Sequence, residues 1–544
     1  MSSPVVDVLV VGAGPVGLVG ALALVQSGVS VRIIDKATNF EIGQRGSGIM
    51  PRSQEAFLFL GILDDYLKAA YQGAHIMRLY DPNGQVVAET PMRVDAESTP
   101  EIPIPQAITL GQDSNCRILR KHLAALGVNV ETGTELLDYE QDDDGVTATV
   151  GVGGQDERIR TQFLLGADGA KGPTRRIGGI HFEGKTDEIT AIIGDIEIET
   201  ALDRSCWHRF TDEKKNGFVA RPVPENDKLW FIVIGGQTID TQRLLTDVSY
   251  LSETMCKISR RTDIDVTKVR TLAEWRLNER VADRFMVGHR VIIAGDAAHC
   301  HSPTGGQGIN NGVLDVMNIF WKLVLVIKGL SPLSLLSSYE EERMPVIREM
   351  LRLTTKIADK TFKNTNDNSA WERPLALRQL GVHYRWSSVV VDELREGELV
   401  LKSTNIEPED VYGLGKPDRL HAGDRAPDAP ELVSVQTGAK MQLFRLFKPT
   451  QHTIIVLDPA LAKDVHTPIS AYPEGAIQVV VISARNSQEQ YAELNAFVDS
   501  QGHAHRAYRV DLGVKVAIIR PDGVVGALLR GPGSIEQYFA KLFT

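Results

Sequence analysis

Cysteine is scarce in this chain. The 544 residues hold four, Cys116, Cys206, Cys256 and Cys300, scattered and without a CxxC pair. That spacing excludes a disulfide framework and a thiolate zinc site, and it fits a reducing, cytoplasmic setting. No cysteine follows Cys300, so the C-terminal part cannot run a dithiol cycle. Basic runs with interleaved aromatics are missing and the net charge is −11, which argues against nucleic-acid partners. A membrane span is not expected either. Residues 5 to 29 are apolar, but glycines and Pro15 interrupt them and no charged segment or small-residue cleavage site marks a signal peptide. The C-terminus carries no recognisable address. Otherwise the composition is ordinary, with 43% hydrophobic and 24% charged residues, and the length asks for two or three domains.

What is present begins at the N-terminus. Val5 to Val11 reads as a buried parallel strand, followed by Gly12-Ala-Gly14-Pro15-Val16-Gly17 and a helical run from Leu18 to Gln26. A second strand, Val29 to Ile34, ends in Asp35, with Lys36 behind it. Gly12 permits the tight turn, Gly14 lets a pyrophosphate approach the backbone, and Gly17 lets helix and strand pack closely. Asp35 is expected to accept from a ribose hydroxyl. In this βαβ context the fingerprint predicts a dinucleotide site.

A second segment, GDAAHCHSPTGGQGINNG, spans 295 to 312. It follows the apolar strand 290–294 and runs into a long helix opening near Gly308, Ile309 and Asn310. Glycines give backbone N–H groups close access to a ligand, and the helix N-terminus favours negative charge. Asp296, at the strand end, is expected to accept from a polyol. His299 and His301 with Asp296 could suggest a metal. A catalytic metal needs about three protein ligands with an open position, but the rest of this loop suits a flat, polar ligand instead, so no metal is expected. A third segment, FLLGADGAKGPTRR at 163–176, places a DG turn (Asp168-Gly169) after another apolar strand.

These three segments, in this order, resemble the flavin-dependent aromatic hydroxylases, the class A monooxygenases of the p-hydroxybenzoate hydroxylase fold. The resemblance spans about residues 5 to 360. It implies FAD as the resident cofactor and NADPH or NADH as a transient reductant. It also implies transfer of oxygen from a flavin C4a-hydroperoxide to an electron-rich, phenolic ring, so a small aromatic substrate and O₂ are the expected partners. Pro303 with the Gly305 and Gly306 backbone would lie against the reactive edge of the ring. Asp168 and Arg175 match positions near the pyrophosphate and the nicotinamide path, although the family's Ser near Gly172 is missing. Arg45 matches an arginine beside the mobile flavin ring. Two residues on, where phenol hydroxylases often carry an acid, stands Ser47, so that base is absent. Gln112 matches a residue at the ribityl chain and equally reads as the polar first residue of a helix. Trp275 and His301 are candidates for the substrate pocket, Trp275 reading more simply as core. No second GxGxxG stands between strand and helix, so no separate nicotinamide domain is expected. Baeyer–Villiger or epoxidising chemistry on a polycyclic substrate is the alternative, and a flavin-binding sensor or scaffold a more distant one.

The expected architecture is α/β and interleaved. Residues 1–75, 107–180 and 281–360 form a Rossmann-type FAD-binding domain. A hairpin at 76–106, turning at Asp81-Pro-Asn-Gly84, joins an antiparallel substrate sheet at 181–280. Residues 361–422 read as a helical connector. From 423 to 544, strands near Thr453–Leu457, Ile477–Ser483 and Val514–Arg520 and helices near Ser487–Ser500 and Ser534–Leu542 resemble the thioredoxin-like domain of phenol hydroxylases. Without cysteine it is expected to be structural or to support a homodimer. Truncation near Gly423 is expected to harm solubility or assembly, yet, because every cofactor motif precedes residue 324, a chain ending at 422 should keep its flavin if it folds.

Overall fold

The computed structural model describes residues 6–40, 43–73, 75–92, 95–302, 305–358, 374–395, 410–413, 419–484 and 495–544. Three eight-stranded sheets organise it.

The first sheet is built on five parallel strands in the order Val291–Ile293, Gln155–Gly166, Val6–Val11, Val31–Asp35, Val130–Thr132. Their apolar runs are buried because helices cover the face of Val8, Val10 and Ile33, while Leu9, Val11 and Ile34 on the other face pack against Leu136, Val146 and Val150. Strands Thr134–Gln141 and Val146–Val152 extend it as an antiparallel meander onto the long strand that ends in the DG turn. Helix Pro15–Gln26 starts three residues earlier than the sequence suggests, since proline is well suited to a first helical position. Helix Gly308–Ile327 is long and apolar enough to cross a membrane, but 89% of its apolar window is buried inside the protein, where it serves as a core helix.

The second sheet runs His299–Cys300, Asp265–Ala282, Phe182–Glu199, Leu229–Gly235, Gly217–Pro222, Trp207–Thr211, Ile76–Tyr80, Val86–Pro91. The expectation of a purely antiparallel sheet is corrected here. Trp207–Thr211 pairs in parallel with Ile76–Tyr80. These two strands come from chain segments separated by part of the first domain, so no hairpin imposes an antiparallel pairing. One face packs Ile192, Ile196, Phe218, Trp230 and Ile232 against helix Val248–Ser259. Alternation turns Ile193, Val219, Phe231, Val233 and Ala273, all half-buried, to the opposite face.

The third sheet is mixed, in the order Val391–Asp392, Val525–Leu529, Val516–Ile519, His452–Val456, Ile477–Ser483, Ala496–Val498, Leu432–Ser434, Lys440–Met441. The helix expected over Ser487–Ser500 is not borne out at its end. Ala496–Val498 is a fully buried strand beside Ile477–Ser483, and residues 485–494 lie outside the described residues. Three consecutive buried residues, two of them aromatic or β-branched, suit a central strand better than an amphipathic helix. Between 374 and 395 the helical structure is limited to the short 3₁₀ turns Leu375–Arg378 and Glu393–Arg395.

Two buried ionic locks join this last domain to the first. Arg520 donates to both carboxylate oxygens of Glu342 at 2.7 and 3.0 Å, and Asp522 backs it at 2.5 Å. Glu342 also accepts from Lys322, Asn318 and Ser387. Burial alone would raise the Glu342 carboxyl, but Arg520 and Lys322 outweigh it and hold it well below the usual range. In the second lock, Glu55 accepts from Arg52 at 2.8 Å and from Arg425 at 2.7 Å, while Arg52 donates to the Asp522 and Gly523 carbonyls. The grip falls on the first turns of helix Pro51–Phe59 and, through Glu342 of helix Ser337–Ala358, on Asn318 and Lys322 of helix Gly308–Ile327.

Candidate cofactor and active site

The N-terminal turn has the geometry its glycines suggested. Gly12 adopts φ +100°, and a Cβ there would stand 2.5 Å from the Ala167 carbonyl oxygen in the DG segment. A Cβ on Gly17 would stand 1.9 Å from the Gly12 carbonyl oxygen. A Cβ on Gly14 would meet no packed neighbour within 4 Å, so the backbone face before helix Pro15–Gln26 is open. The Asp35 carboxylate accepts from Ala13 N at 2.7 Å and Ala37 N at 2.8 Å. It therefore braces the turn, leaving its remaining lone pairs for a hydroxyl donor. Lys36 is exposed beside it.

Val16 has a packing role that composition could not disclose. Its methyls would meet a Cβ on Gly295 at 2.8 Å and one on Gly312 at 2.3 Å. The two glycines form a socket, and Val16 holds the first helix, the GDAA turn and the long helix together.

Across residues 291–300 every residue but Asp296 is buried, and Asp296 opens outward. The protein packed around its base desolvates the carboxyl and raises it against the pull of His299 and Arg45. Beneath it, Asp315 accepts from Gly295 N at 3.0 Å, His299 Nε2 at 2.7 Å and Arg343 Nε at 2.8 Å. Arg343 continues to Tyr384 and Asn311. His299 is thereby committed to the support of the loop. Among the described residues no group of three metal-ligating side chains occurs.

Gly306 adopts φ +62°, and Gly305 packs close to Thr354. Pro303 lies outside the described residues. Asn310 is used as a clip. Its Oδ1 accepts from Met50 N at 2.7 Å, and its Nδ2 donates to the Gly48 carbonyl at 2.8 Å and the Gly306 carbonyl at 2.6 Å. Both amide hydrogens are spent, so its contribution to a ligand is through the backbone N–H near the helix start. Gly46 lies over Ile309, with 3.3 Å between a Cβ there and the isoleucine Cδ1. Arg45 is exposed, and Ser47 is held through its carbonyl by Leu110 N at 2.8 Å. Gln112 opens helix Gln112–Ala125. Its neighbour Gly111 is overlain by the Gln44 side chain, which brings this helix start to the Arg45 loop.

Asp168 and Arg175 turn out to be structural braces. Asp168 Oδ2 accepts from Thr174 N at 2.8 Å, while Oδ1 is buried without a partner among the described residues. Burial raises its carboxyl. A Cβ at Gly172 would lie 2.1 Å from its Cγ, which explains why glycine stands in this part of the turn. Arg175 donates to the carbonyls of Ala297 and Ala170 and stacks on Phe182, 3.8 Å from the ring centre. It ties the DG turn to the GDAA turn and is not free to hold a phosphate.

His301 contacts its own segment through Nδ1 and the Ser302 carbonyl at 2.6 Å, while Nε2 is buried and unpartnered among the described residues. Burial lowers its pKa to about 4. A Cβ on Gly308 would stand 3.4 Å from this Nε2 and 4.0 Å from Asp296 Oδ1. Trp275 is half-buried on the strand that pairs with Ala191, set apart from the fully buried core.

The residues present fit FAD. Helices Pro15–Gln26, Gln112–Ala125 and Gly308–Ile327 all begin without a side-chain cap. Their first N–H groups are therefore available to anionic or carbonyl oxygens. The open face at Gly14 suits a pyrophosphate, and the outward carboxylate of Asp296 suits a polyol. A paired substitution checks this geometry. Gly17→Ala is expected to lose both fold stability and FAD, because its Cβ would meet backbone. Gly14→Ala should keep its Tm and lose FAD affinity alone. Thermal melts with flavin fluorescence distinguish the two.

Comparison with known proteins agrees with this geometry. Residues 5–354 match the family model described as FAD binding domain. A flavin-dependent monooxygenase of Mycobacteroides abscessus is 31% identical over 98% of this chain and 99% of its own. Pentachlorophenol 4-monooxygenase of Sphingobium chlorophenolicum is 27% identical over 96% of this chain and 93% of its own. Among solved structures, the flavin-dependent monooxygenase PieE in complex with FAD and substrate superposes with a TM-score of 0.80, covering 100% of this chain and 99% of that one at 21% identity. With the three glycine segments packed against one another, the chain belongs to the class A flavin-dependent monooxygenases and is an FAD-binding oxidoreductase of the p-hydroxybenzoate hydroxylase fold.

Proposed function

We propose that this enzyme hydroxylates an electron-rich, phenolic aromatic substrate, with NADPH or NADH as transient reductant and O₂ as oxidant. The observation that carries the reading is the free face of the second sheet. Ile193, Phe231 and Ala273, with Thr271, border a small cavity whose other wall is Gly43, Gln44 and Arg45. The cavity itself, about 20 Å³, holds no more than a water, so a planar ring would lie on this apolar, aromatic floor only with the Arg45 loop displaced from it. Bound FAD would supply the oxygen-transfer chemistry. The protein's share is to bind, orient and move protons.

Within that reading, Asp296 and the Gly308–Asn310 helix start would hold the polyol and the polar edge of the ring, and Gly12, Gly14 and Asp35 the nucleotide half. The Gly305–Gly306 backbone, with Pro303, would border the reacting edge. Ser47 supplies no base. His301, kept neutral by burial, has a lone pair at Nε2 that could accept a hydrogen bond from a phenolic hydroxyl, while its lowered basicity argues against a role as the base. The substrate names of the relatives support an aromatic substrate. They include pentachlorophenol, rifampicin and tetracenomycin A2. The central strand order of the last domain supports the thioredoxin-like reading. The divisions at 75, 106, 180, 280, 360 and 422 are offered as domain boundaries, and a homodimer as the assembly.

A panel of phenols tests this. One or more should stimulate NAD(P)H consumption and yield a product with one added oxygen and an intact ring. A ring-expanded or ring-opened product would support the Baeyer–Villiger alternative, and no stimulation by any aromatic would overturn the proposal.

A further inference from the structure

The loop that carries Arg45 is held from two domains. On its far side, Asn310 grips Gly48 and Met50 from the FAD-binding domain. On its near side, the grip comes from the substrate sheet. Asp195 Oδ2 accepts from Gln44 N at 2.8 Å, and Arg221 Nη2 donates to the Gln44 carbonyl at 2.9 Å. Asp195, Phe231 and Arg221 are cross-strand neighbours in one row, and Thr271 on the other side of Asp195 adds a bond at 3.3 Å. A Cβ on Gly43 would sit 2.9 Å from Thr271 Oγ1 and 3.2 Å from Asp195 Oδ2, so the backbone lies directly on these side chains. Between the two grips, Arg45 and Gly46 are exposed.

Asp195 and Arg221 are almost fully buried, at 4% and 2% exposure. Asp195 Oδ1 has no partner among the described residues, and burial raises the carboxyl against the Gln44 N–H and Arg221. A carboxylate so placed is costly to the fold, and its bonded oxygen is spent on one amide of the flavin-side loop. The same row contains Phe231, and Ile193 and Ala273 flank it on the floor described above.

We propose that Asp195 and Arg221 are positioning residues that fix Gln44, and through it Arg45, so that the substrate floor and the flavin-side loop move as one unit. A substrate lying on Phe231 would press on the same cross-strand row that holds Gln44, giving the loop a way to register that the floor is filled. The second half of this statement rests on the proposed monooxygenase function. The clamp itself does not.

The test uses the full-length holoenzyme and the variants Asp195→Ala and Asp195→Asn. Limited trypsin digestion, scored as cleavage after Arg45, reads the clamp without turnover. Asp195→Ala is expected to be cut there about tenfold faster at a similar Tm. Asp195→Asn, whose amide oxygen can still accept from Gln44 N, should be cut nearly as slowly as wild type. Equal cutting of all three overturns the clamp, as does an Asn variant as labile as Ala. If Asp195→Ala does not fold, Arg221→Met releases the same residue through its carbonyl and takes its place.

Turnover with a stimulating phenol then reads the positioning. A roughly tenfold lower kcat in Asp195→Ala, with KM less affected and kcat restored in Asp195→Asn, supports it. Faster cutting with unchanged kcat and unchanged coupling of NAD(P)H to product overturns it. A wild-type enzyme that no aromatic stimulates would overturn the proposed function instead, and the digestion would still decide the clamp.

Discussion

A chain ended at Ala422 is expected to yield no soluble, flavin-loaded protein. The deletion removes Arg520 and Asp522 from one buried lock and Arg425 from the other. Glu342 would keep Lys322, Asn318 and Ser387, and Glu55 would keep Arg52. Removing one partner of a buried ion pair costs about 3–5 kcal/mol, against a typical total stability of roughly 5–15 kcal/mol. The last domain also covers Phe59 and Trp321 with Phe444, Phe447 and His452. Arg520→Ala isolates the ionic part of this effect and should lower Tm sharply, with flavin released as the protein melts. Arg520→Met, with similar volume, leaves the same glutamate and Asp522 without their guanidinium and should do nearly as badly. Light scattering and flavin absorbance of the truncated chain decide the matter. A soluble 1–422 that holds FAD would show that the locks are dispensable. The flavin-retention half of this differs from the expectation drawn from motif positions alone, which had no means of seeing that the last domain grips helices Pro51–Phe59 and Gly308–Ile327 through buried ions.

Asp296→Ala is expected to weaken FAD binding far more than Asp168→Ala. Asp296 is the one outward side chain in a buried turn, and its carboxylate has lone pairs to offer a polyol. Losing a hydrogen bond to a charged group costs about 1.5–3 kcal/mol, or about ten- to a hundredfold in affinity. Asp168 is spent on Thr174 N, so its removal should loosen the DG turn, lower Tm modestly and slow reduction by NAD(P)H. Titration of each apoprotein with FAD, followed by flavin fluorescence, separates the two. Equal affinities would contradict the division of roles.

The cofactor half of the site was legible because its chemistry depends on local spacing. Gly12, Gly14 and Gly17 must stand where they do for a turn between strand and helix, and the structure reproduces that turn. The sheet of parallel strands followed from continuous apolar runs. What could not be read were roles set by distant partners. Asn310 belongs to a glycine-rich helix start, yet its side chain spans to residues 260 and 262 positions away in the chain. Glu342 and Arg520 meet across 178 positions. Val16 reads as a phosphate-loop residue and serves as a knob for two glycines. One signal was available. Asp315, Asn318 and Lys322 recur at helical spacing within an otherwise apolar helix, which marks a polar stripe that must find partners inside the protein. The parallel pairing of Trp207–Thr211 and the strand Ala496–Val498 were hidden for a related reason, since alternation says which face is buried but not which strand lies alongside.

The most direct test of the whole account is turnover under isotopically labelled dioxygen. The full-length, FAD-loaded protein, given NAD(P)H and the most stimulating phenol, should place one labelled oxygen atom in an aromatic product with its ring intact. Label found only in hydrogen peroxide and water, with every aromatic recovered unchanged, would contradict the account.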